Sequence, residues 1–270
     1  MKNILILGSS GQIGHSLKNY LSQKGYNIIG FDIENSLEED LRNRFVLDSI
    51  LPNIDFVFFL SFDVGGSTYL KKYQDTKEFM DNNMKLMLYT FESLEKYKTP
   101  FLFASSQMAN MSYSNYGLLK SIGEKYTQTL GGLLVKFWNV YGLETDEKKF
   151  HVITDFIKAA KNKGHIAIKT SGEEERQFLH ADDCSECLEI LMNKYQEIPR
   201  NENLHITNFE WTKIIDIAKL ISSISGASIS IGDSYDIQMN KKNDPDKYIL
   251  NIWNPKISLT NGIKQIYNEL

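Results

Sequence analysis

Lys2-Asn3-Ile4-Leu5-Ile6-Leu7-Gly8-Ser9-Ser10-Gly11-Gln12-Ile13-Gly14 is the stretch that decides the fold. An apolar run of strand length passes into a glycine loop. Ile13, Leu17 and Leu21 then recur at helical spacing until Gly25 ends the pattern. Glycines let the backbone turn tightly and come close to a pyrophosphate, and the N-terminus of the helix that follows offers N–H groups to its charge. A second strand, Asn27–Asp32, ends in an acid 18 residues beyond Gly14. A carboxylate there hydrogen-bonds both hydroxyls of a ribose and repels a 2′-phosphate, which points to NAD rather than NADP.

The same alternation continues outward. Strands are predicted over Ile54–Phe62, Pro100–Ser106 and Leu133–Asn139, with helices over Thr76–Lys98 and Ser114–Leu130 between them. Strands separated by helices imply right-handed crossovers and a parallel sheet covered on both faces. Past residue 150 the pattern loosens, with helices near Phe150–Asn162, Asp182–Lys194, Trp211–Ser223 and Ser258–Asn268. The expected fold is α/β: a Rossmann-type doubly wound parallel sheet over residues 1–150. A smaller mixed α/β C-terminal substrate lobe over 151–270 sends segments back to the first domain. Ligands of such sheets bind beyond the carboxyl ends of the strands.

Composition narrows the function. Of 270 residues, 42% are hydrophobic and 24% charged, which is ordinary for a globular chain. Lys plus Arg total 30 against 34 acids, so no basic excess is present to neutralise nucleic acid. No apolar stretch is long enough to span a bilayer, and a glycine loop stands where a signal peptide needs more apolar residues. The cytoplasm is the expected location. Two cysteines exclude a disulfide scaffold. They form Cys184-Ser185-Glu186-Cys187 near His180, too few ligands for zinc, and no metal is expected.

A second motif carries chemistry. Tyr116 and Lys120 are four apart on a predicted helix and share a face, one strand after Ser105-Ser106. A free phenol has a pKa of about 10, too high for a base at neutral pH, and a neighbouring ammonium favours the phenolate.

With the Gly8–Gly14 spacing, this pair resembles the short-chain dehydrogenase/reductase family. Further segments resemble its extended branch, the NAD-dependent nucleotide-sugar epimerases and dehydratases, over nearly the whole chain. Asp40-Leu41 is similar to the pair that frames adenine. Leu60-Ser61-Phe62 stands where the family usually has Leu-Ala-Ala beside the cofactor, and Asn83 matches a helix asparagine on the nicotinamide side. Phe137-Trp138-Asn139-Val140-Tyr141-Gly142 resembles an aromatic-Asn-Val-Tyr-Gly signature whose Asn139 position contacts substrate phosphates. Arg176-Gln177-Phe178-Leu179-His180-Ala181-Asp182-Asp183 resembles a segment whose Arg binds the sugar-nucleotide diphosphate. A second phosphate-binding cation falls at Lys241.

The resemblance implies NAD as cofactor, held by Gly8, Gly11, Gln12, Ile13, Gly14, Asp32, Asp40, Leu41, Leu60, Ser61, Phe62, Asn83, Tyr116 and Lys120. Tyr116 is the implied base, Lys120 its partner on the cofactor side, and Ser106 the group that aligns the sugar oxygen. It implies a nucleotide sugar oxidised at carbon 4, in the making of surface-polysaccharide sugars. Dehydratases of the family carry Asp-Glu directly after the catalytic Ser or Thr; Gln107-Met108 stand here and transfer no proton. Val64-Gly65-Gly66 resembles members that act on GDP-sugars and makes a GDP-hexose or GDP-heptose the expected substrate. Those members use a Cys where this chain has Met108, and one of them uses a His that His151 matches.

Two outcomes remain for the keto sugar: release, as in a 4-dehydrogenase, or reduction on the other face, as in a 4-epimerase. A 4-keto-sugar reductase, a 4,6-dehydratase (disfavoured by Gln107-Met108) and a non-catalytic NAD-binding regulator are the alternatives. Phe79, Met80, Met84, Met87, Leu88 and Phe91 are read as core, with part of the set at an interface, because relatives often dimerise through the helix at this place and the Tyr116–Lys120 helix; a homodimer is the assembly the resemblance implies.

Overall fold

Residues 2–111, 113–144, 150–234 and 243–270 are described in a computed structural model. β1 (Asn3–Leu7), α1 (Gln12–Gln23) and β2 (Asn27–Phe31) are followed by β3 (Phe56–Phe59), a short α2 (Ser67–Tyr73) and a long α3 (Lys77–Tyr97). β4 (Phe101–Ser106), α4 (Asn115–Leu130) and β5 (Leu133–Phe137) come next. The later part contains β6 (Asn139–Tyr141), α5 (Val152–Lys163), β7 (His165–Thr170), β8 (Glu175–Arg176), β9 (Phe178–His180) and α6 (Ala181–Asn193). It ends with β10 (Leu204–Ile206), β11 (Thr212–Lys213), α7 (Ile214–Ser225), β12 (Ser228–Ser234) and α8 (Leu259–Glu269).

The central sheet has six strands in the order β10-β5-β4-β3-β1-β2, and every pairing is parallel. The fold is thus the expected Rossmann-like α/β arrangement. Its inner strands are mostly apolar because helices cover both faces, the exceptions being polar groups such as Ser105, Ser106 and Lys136. Ile4 and Ile6 point to one face, into a core with Leu17, Leu21 and Leu188; Leu5 and Leu7 point to the other, against Phe59, Phe91 and Phe103. Each such side chain, taken fully out of water, contributes ~1.5–3 kcal/mol. A third core, built from residues such as Ile157, Ile166, Ile217, Ile221 and Ile263, lies under α5, α7 and α8. No helix of the described residues is long and apolar enough to cross a membrane.

One element, α2, was not foreseen. α2 has no buried residue, so it leaves no apolar face in the pattern. β10 is only three residues long, yet it pairs Leu204 with Val135 and Ile206 with Phe137 and completes the sheet. The sequence-predicted helices and strands otherwise agree with those formed to within a few residues at their ends.

Helix α4 matters most for the site. Ser114 caps its first turn, the Oγ accepting from Gly117 N at 3.2 Å, and Gly131 ends it in the left-handed region. A Cβ on Gly117 would lie 2.2 Å from the Met108 carbonyl oxygen and 2.9 Å from that of Met111. The helix therefore lies directly on the backbone that follows Ser106. Gly117→Ala is expected to lower stability by about 1–3 kcal/mol despite the better helix propensity of Ala. Thermal unfolding should show a midpoint several degrees below native; an unchanged midpoint would mean that this backbone yields without cost.

Candidate active site

The strand order reverses between β1 and β3, and the carboxyl ends of both strands open there. Gly8 has φ of +86°, and a Cβ on it would lie 2.7 Å from Ser61 N. A Cβ on Gly14 would lie 2.0 Å from the Gly8 carbonyl oxygen. Helix α1 therefore begins closer to the β1 turn than any side chain permits. Gly11 is its N-cap and no side chain caps the first turn, so the N–H groups of Gln12, Ile13 and Gly14 are directed at the loop. The Gln12 amide, in the orientation its neighbours require, donates to Val140 O at 3.2 Å and accepts from Gly142 N at 2.8 Å, tying the loop to β6.

Asp32 follows β2. Its Oδ2 accepts from Ser10 N at 2.9 Å and its Oδ1 from Glu34 N at 3.0 Å. Asp40 is held by Arg42 in a fork, Nε to Oδ1 at 2.9 Å and Nη2 to Oδ2 at 2.9 Å, and this keeps its carboxyl below the usual range. Leu41 is buried in the core. A glycine cradle under an open helix end, with an acid at the end of the second strand, fits a dinucleotide: the first suits its diphosphate, the second a ribose.

The Tyr116–Lys120 corner lies at the ends of β4 and α4. Ser106 ends β4 and its Oγ accepts from Met108 N at 3.1 Å. Tyr116 is buried in the first turn of α4 and hydrogen-bonded to Ser106. Lys120, one turn on, is 3% exposed, and its Nζ donates to Ala104 O at 2.6 Å. The Phe62 ring covers the ammonium, with its centroid 3.8 Å from Nζ, and meets the Tyr116 ring edge to face at 5.6 Å. Burial pushes Tyr116 up to about 12, with the Ser106 bond working against it. Burial pulls Lys120 down to about 7, with the charge of Glu124 opposing. The fold brings Ser106, Tyr116 and Lys120 together and places Phe62 over them.

Sequence reasoning missed what lies beneath. Glu124, one turn past Lys120, accepts from Ser105 Oγ at 2.5 Å and pairs with buried Lys136 at 3.2 Å. Lys136 also donates to Asn110 at 3.4 Å. The i,i+4 spacing from Lys120 to Glu124 was the available signal. Beside them His205 accepts from Trp138 Nε1 at 3.1 Å; burial, reinforced by Lys136, brings its pKa down to about 4, so it stays neutral.

Asn83 is fully buried. Its amide donates to Asp63 O and Phe79 O and accepts from Asp63 N at 2.8 Å. It anchors the loop that carries Phe62, Val64, Gly65 and Gly66, and Gly66 is the N-cap of α2. Lys169 Nζ reaches Thr68 Oγ1 at 3.3 Å, so β7 and α2 meet across the cleft. His151, the N-cap of α5, receives the carboxylate of buried Glu144 on both its Nδ1 and its backbone N. The hydrogen bonds from His151 keep Glu144 below the usual range although burial alone would raise it. Asn139 donates to Gln177 O at 3.1 Å, and Arg176 lies on β8 opposite Thr212 of β11. Lys241 lies outside the described residues. Cys184 and Cys187 are both buried in α6, in the core shared with α1.

Comparison with known proteins fits this geometry. The model of the NAD dependent epimerase/dehydratase family matches residues 4–207. A GDP-L-fucose synthase of Sinorhizobium fredii is 28% identical over 141 residues, 48% of this chain and 44% of the relative. The chain thus spans under half the length of the first curated relatives it matches. Among solved structures, a UDP-glucose 4-epimerase from Thermotoga maritima superposes with a TM-score of 0.82 at 22% identity, over 98% of this chain and 97% of the other. A UDP-glucuronic acid 4-epimerase from Bacillus cereus, solved with UDP-glucuronic acid and NAD, gives 0.82 and 22% over 98% of each chain.

The buried ammonium makes a pH-dependent prediction. Lys120 binds its proton less well folded, at about 7, than unfolded, near 10.5. Its contribution to stability is full above 10.5 and is lost as pH falls through 7, at about 1.4 kcal/mol per pH unit between them. Lys120→Met lacks this group. Its thermal midpoint should exceed native most below pH 7, the gap narrowing as pH rises toward 9. A gap that does not change with pH would mean that the ammonium is well solvated.

Proposed function

The chain belongs to the NAD-dependent epimerase/dehydratase family, and from that membership we propose that it oxidises carbon 4 of a nucleotide-activated sugar. The substrate class we propose is a GDP-hexose or GDP-heptose, and the product a 4-keto sugar that is either released or reduced again on its other face. The observation that carries this reading is the joined Ser106–Tyr116–Lys120 corner, followed by Gln107 and Met108, which have no proton to transfer at neighbouring carbons.

Tyr116 takes the proton of the carbon-4 hydroxyl and Ser106 hydrogen-bonds the same oxygen. Bound NAD supplies the hydride acceptor and a positive charge beside the phenol. From about 12, a value that already includes the Ser106 hydrogen bond, bringing the phenol to neutrality requires ~7 kcal/mol, shared between that charge and protonated Lys120. Phe62 keeps water from Lys120, so the charge acts across a medium of low polarity. Asp32 holds the adenosine ribose, Asp40 and Leu41 frame adenine, Leu60, Ser61 and Phe62 lie beside the cofactor, and Asn83 lies on its nicotinamide side. Val64, Gly65, Gly66, Asn139, His151, Arg176 and Lys241 contact the sugar nucleotide. The assembly is a homodimer through α3 and α4, whose Met84, Leu88, Leu118 and Tyr126 are exposed in the single chain.

The His151–Glu144 pair favours a second reading. A carboxylate on Nδ1 fixes the imidazole and equips its other nitrogen to exchange a proton at a carbon beside the keto group. One experiment separates the two. The protein is mixed with NAD and a panel of GDP-, UDP-, CDP- and dTDP-sugars in deuterated water. Reduced-nicotinamide absorbance and product NMR are then followed. A lasting rise in absorbance signals net oxidation, and a sugar inverted at carbon 4 without deuterium signals 4-epimerisation. Deuterium at carbon 3 or 5 would replace the first reading by the second. Tyr116→Phe is expected to lose turnover by roughly 10²–10⁴-fold while NAD binding stays near native; retained turnover would remove Tyr116 as the base.

A further inference from the structure

We propose that Glu39 is a second determinant of NAD over NADP, acting with Asp32 to exclude a 2′-phosphate from the adenosine ribose. The inference rests on the reading that Asp32 takes the ribose hydroxyls. Glu39 is remote from β2 in the glycine-loop pattern, yet the chain folds back so that its Oε2 accepts from Asp32 N at 2.7 Å. The same oxygen accepts from Asn35 Nδ2 at 3.1 Å. Asn35 in turn donates to Ser9 Oγ at 3.3 Å and accepts from Ser10 Oγ at 3.0 Å. Ser10 closes the ring by donating its backbone N–H to Asp32 Oδ2. Two carboxylates thus share one polar ring at the rim of the glycine cradle.

Among the described residues neither Asp32 nor Glu39 has a basic group within ion-pair distance. Lys18 packs over Gly30 nearby without pairing with either. Arg42, which follows in the same loop, is forked onto Asp40 and donates its remaining nitrogen to Asn82 at 3.0 Å. A 2′-phosphate brings about two negative charges and needs a cation. Here it meets two anions instead, and the guanidinium that would serve it is already held. Like charges placed against the wrong ligand give specificity by repulsion, without any new contact to the right one.

Glu39→Gln removes the charge and keeps a carbonyl oxygen to accept from Asp32 N and Asn35. NAD and NADP are each titrated into native protein, Glu39→Gln, Asp32→Asn and the double variant, with binding read by calorimetry and folding by thermal unfolding. Glu39→Gln is expected to bind NADP about tenfold more tightly than native, with NAD affinity and the unfolding midpoint unchanged. Added salt should shrink the native discrimination by screening. An unchanged NADP affinity in Glu39→Gln would reduce Glu39 to a backbone acceptor and overturn the proposal. A parallel loss of both dinucleotides, with a lowered midpoint, would overturn it in favour of a purely structural ring. Asp32→Asn tests the underlying reading separately: if it leaves NAD affinity intact, the ribose does not sit on Asp32, whatever Glu39 does.

Discussion

Backbone touches backbone where Gly8 meets Ser61, and the site is arranged around that contact. β1 and β3 are neighbours in the sheet, and their exits are kept together because Gly8 has no side chain. On one side of the contact α1 presents its N-terminus over Gly14. On the other, the chain runs from Ser61 to Phe62, whose ring lies on Lys120 and Tyr116. The glycine cradle and the Tyr116–Lys120 corner therefore meet across one close backbone contact. A change that widened the Gly8–Ser61 approach would shift Phe62 as well, and with it the cover over the ammonium.

Charge is arranged in depth behind that corner. Lys120 sits near the crevice, Glu124 beneath it, and Lys136 beyond Glu124, all buried. Taking such groups from water costs several kcal/mol each unless hydrogen bonds and opposite charges offset it. Ser105, Ala104 O and Asn110 supply those bonds. The arrangement is better suited to keeping Lys120 in one place than to adding stability. A fixed cation beside a phenol has a defined effect on its ionisation, whereas a mobile, hydrated one does not.

Much of this was legible in the residues. The apolar strand and glycine loop at Lys2–Gly14 announced the sheet, because a strand buried on both faces must be apolar throughout and a phosphate-binding turn must lack side chains. Tyr116 and Lys120 were legible because helical geometry puts positions four apart on one face. Phe62 was legible as a position but not as a contact: nothing in the sequence says that its ring turns toward Lys120. Glu39 and Glu144 were not legible at all. Each acts through a loop whose course depends on what the chain packs against, and a loop has no period. α2 escaped for a related reason, since it buries none of its residues.

The sheet is finished late. β5 (Leu133–Phe137) is wholly buried only because β10 pairs along its outer edge, and β10 comes about seventy residues further along the chain. A ribosome adding roughly 5–20 residues per second needs about 3–14 s to reach it. During that interval β5, apolar but for Lys136, is the edge of the sheet, the kind of edge that recruits other chains.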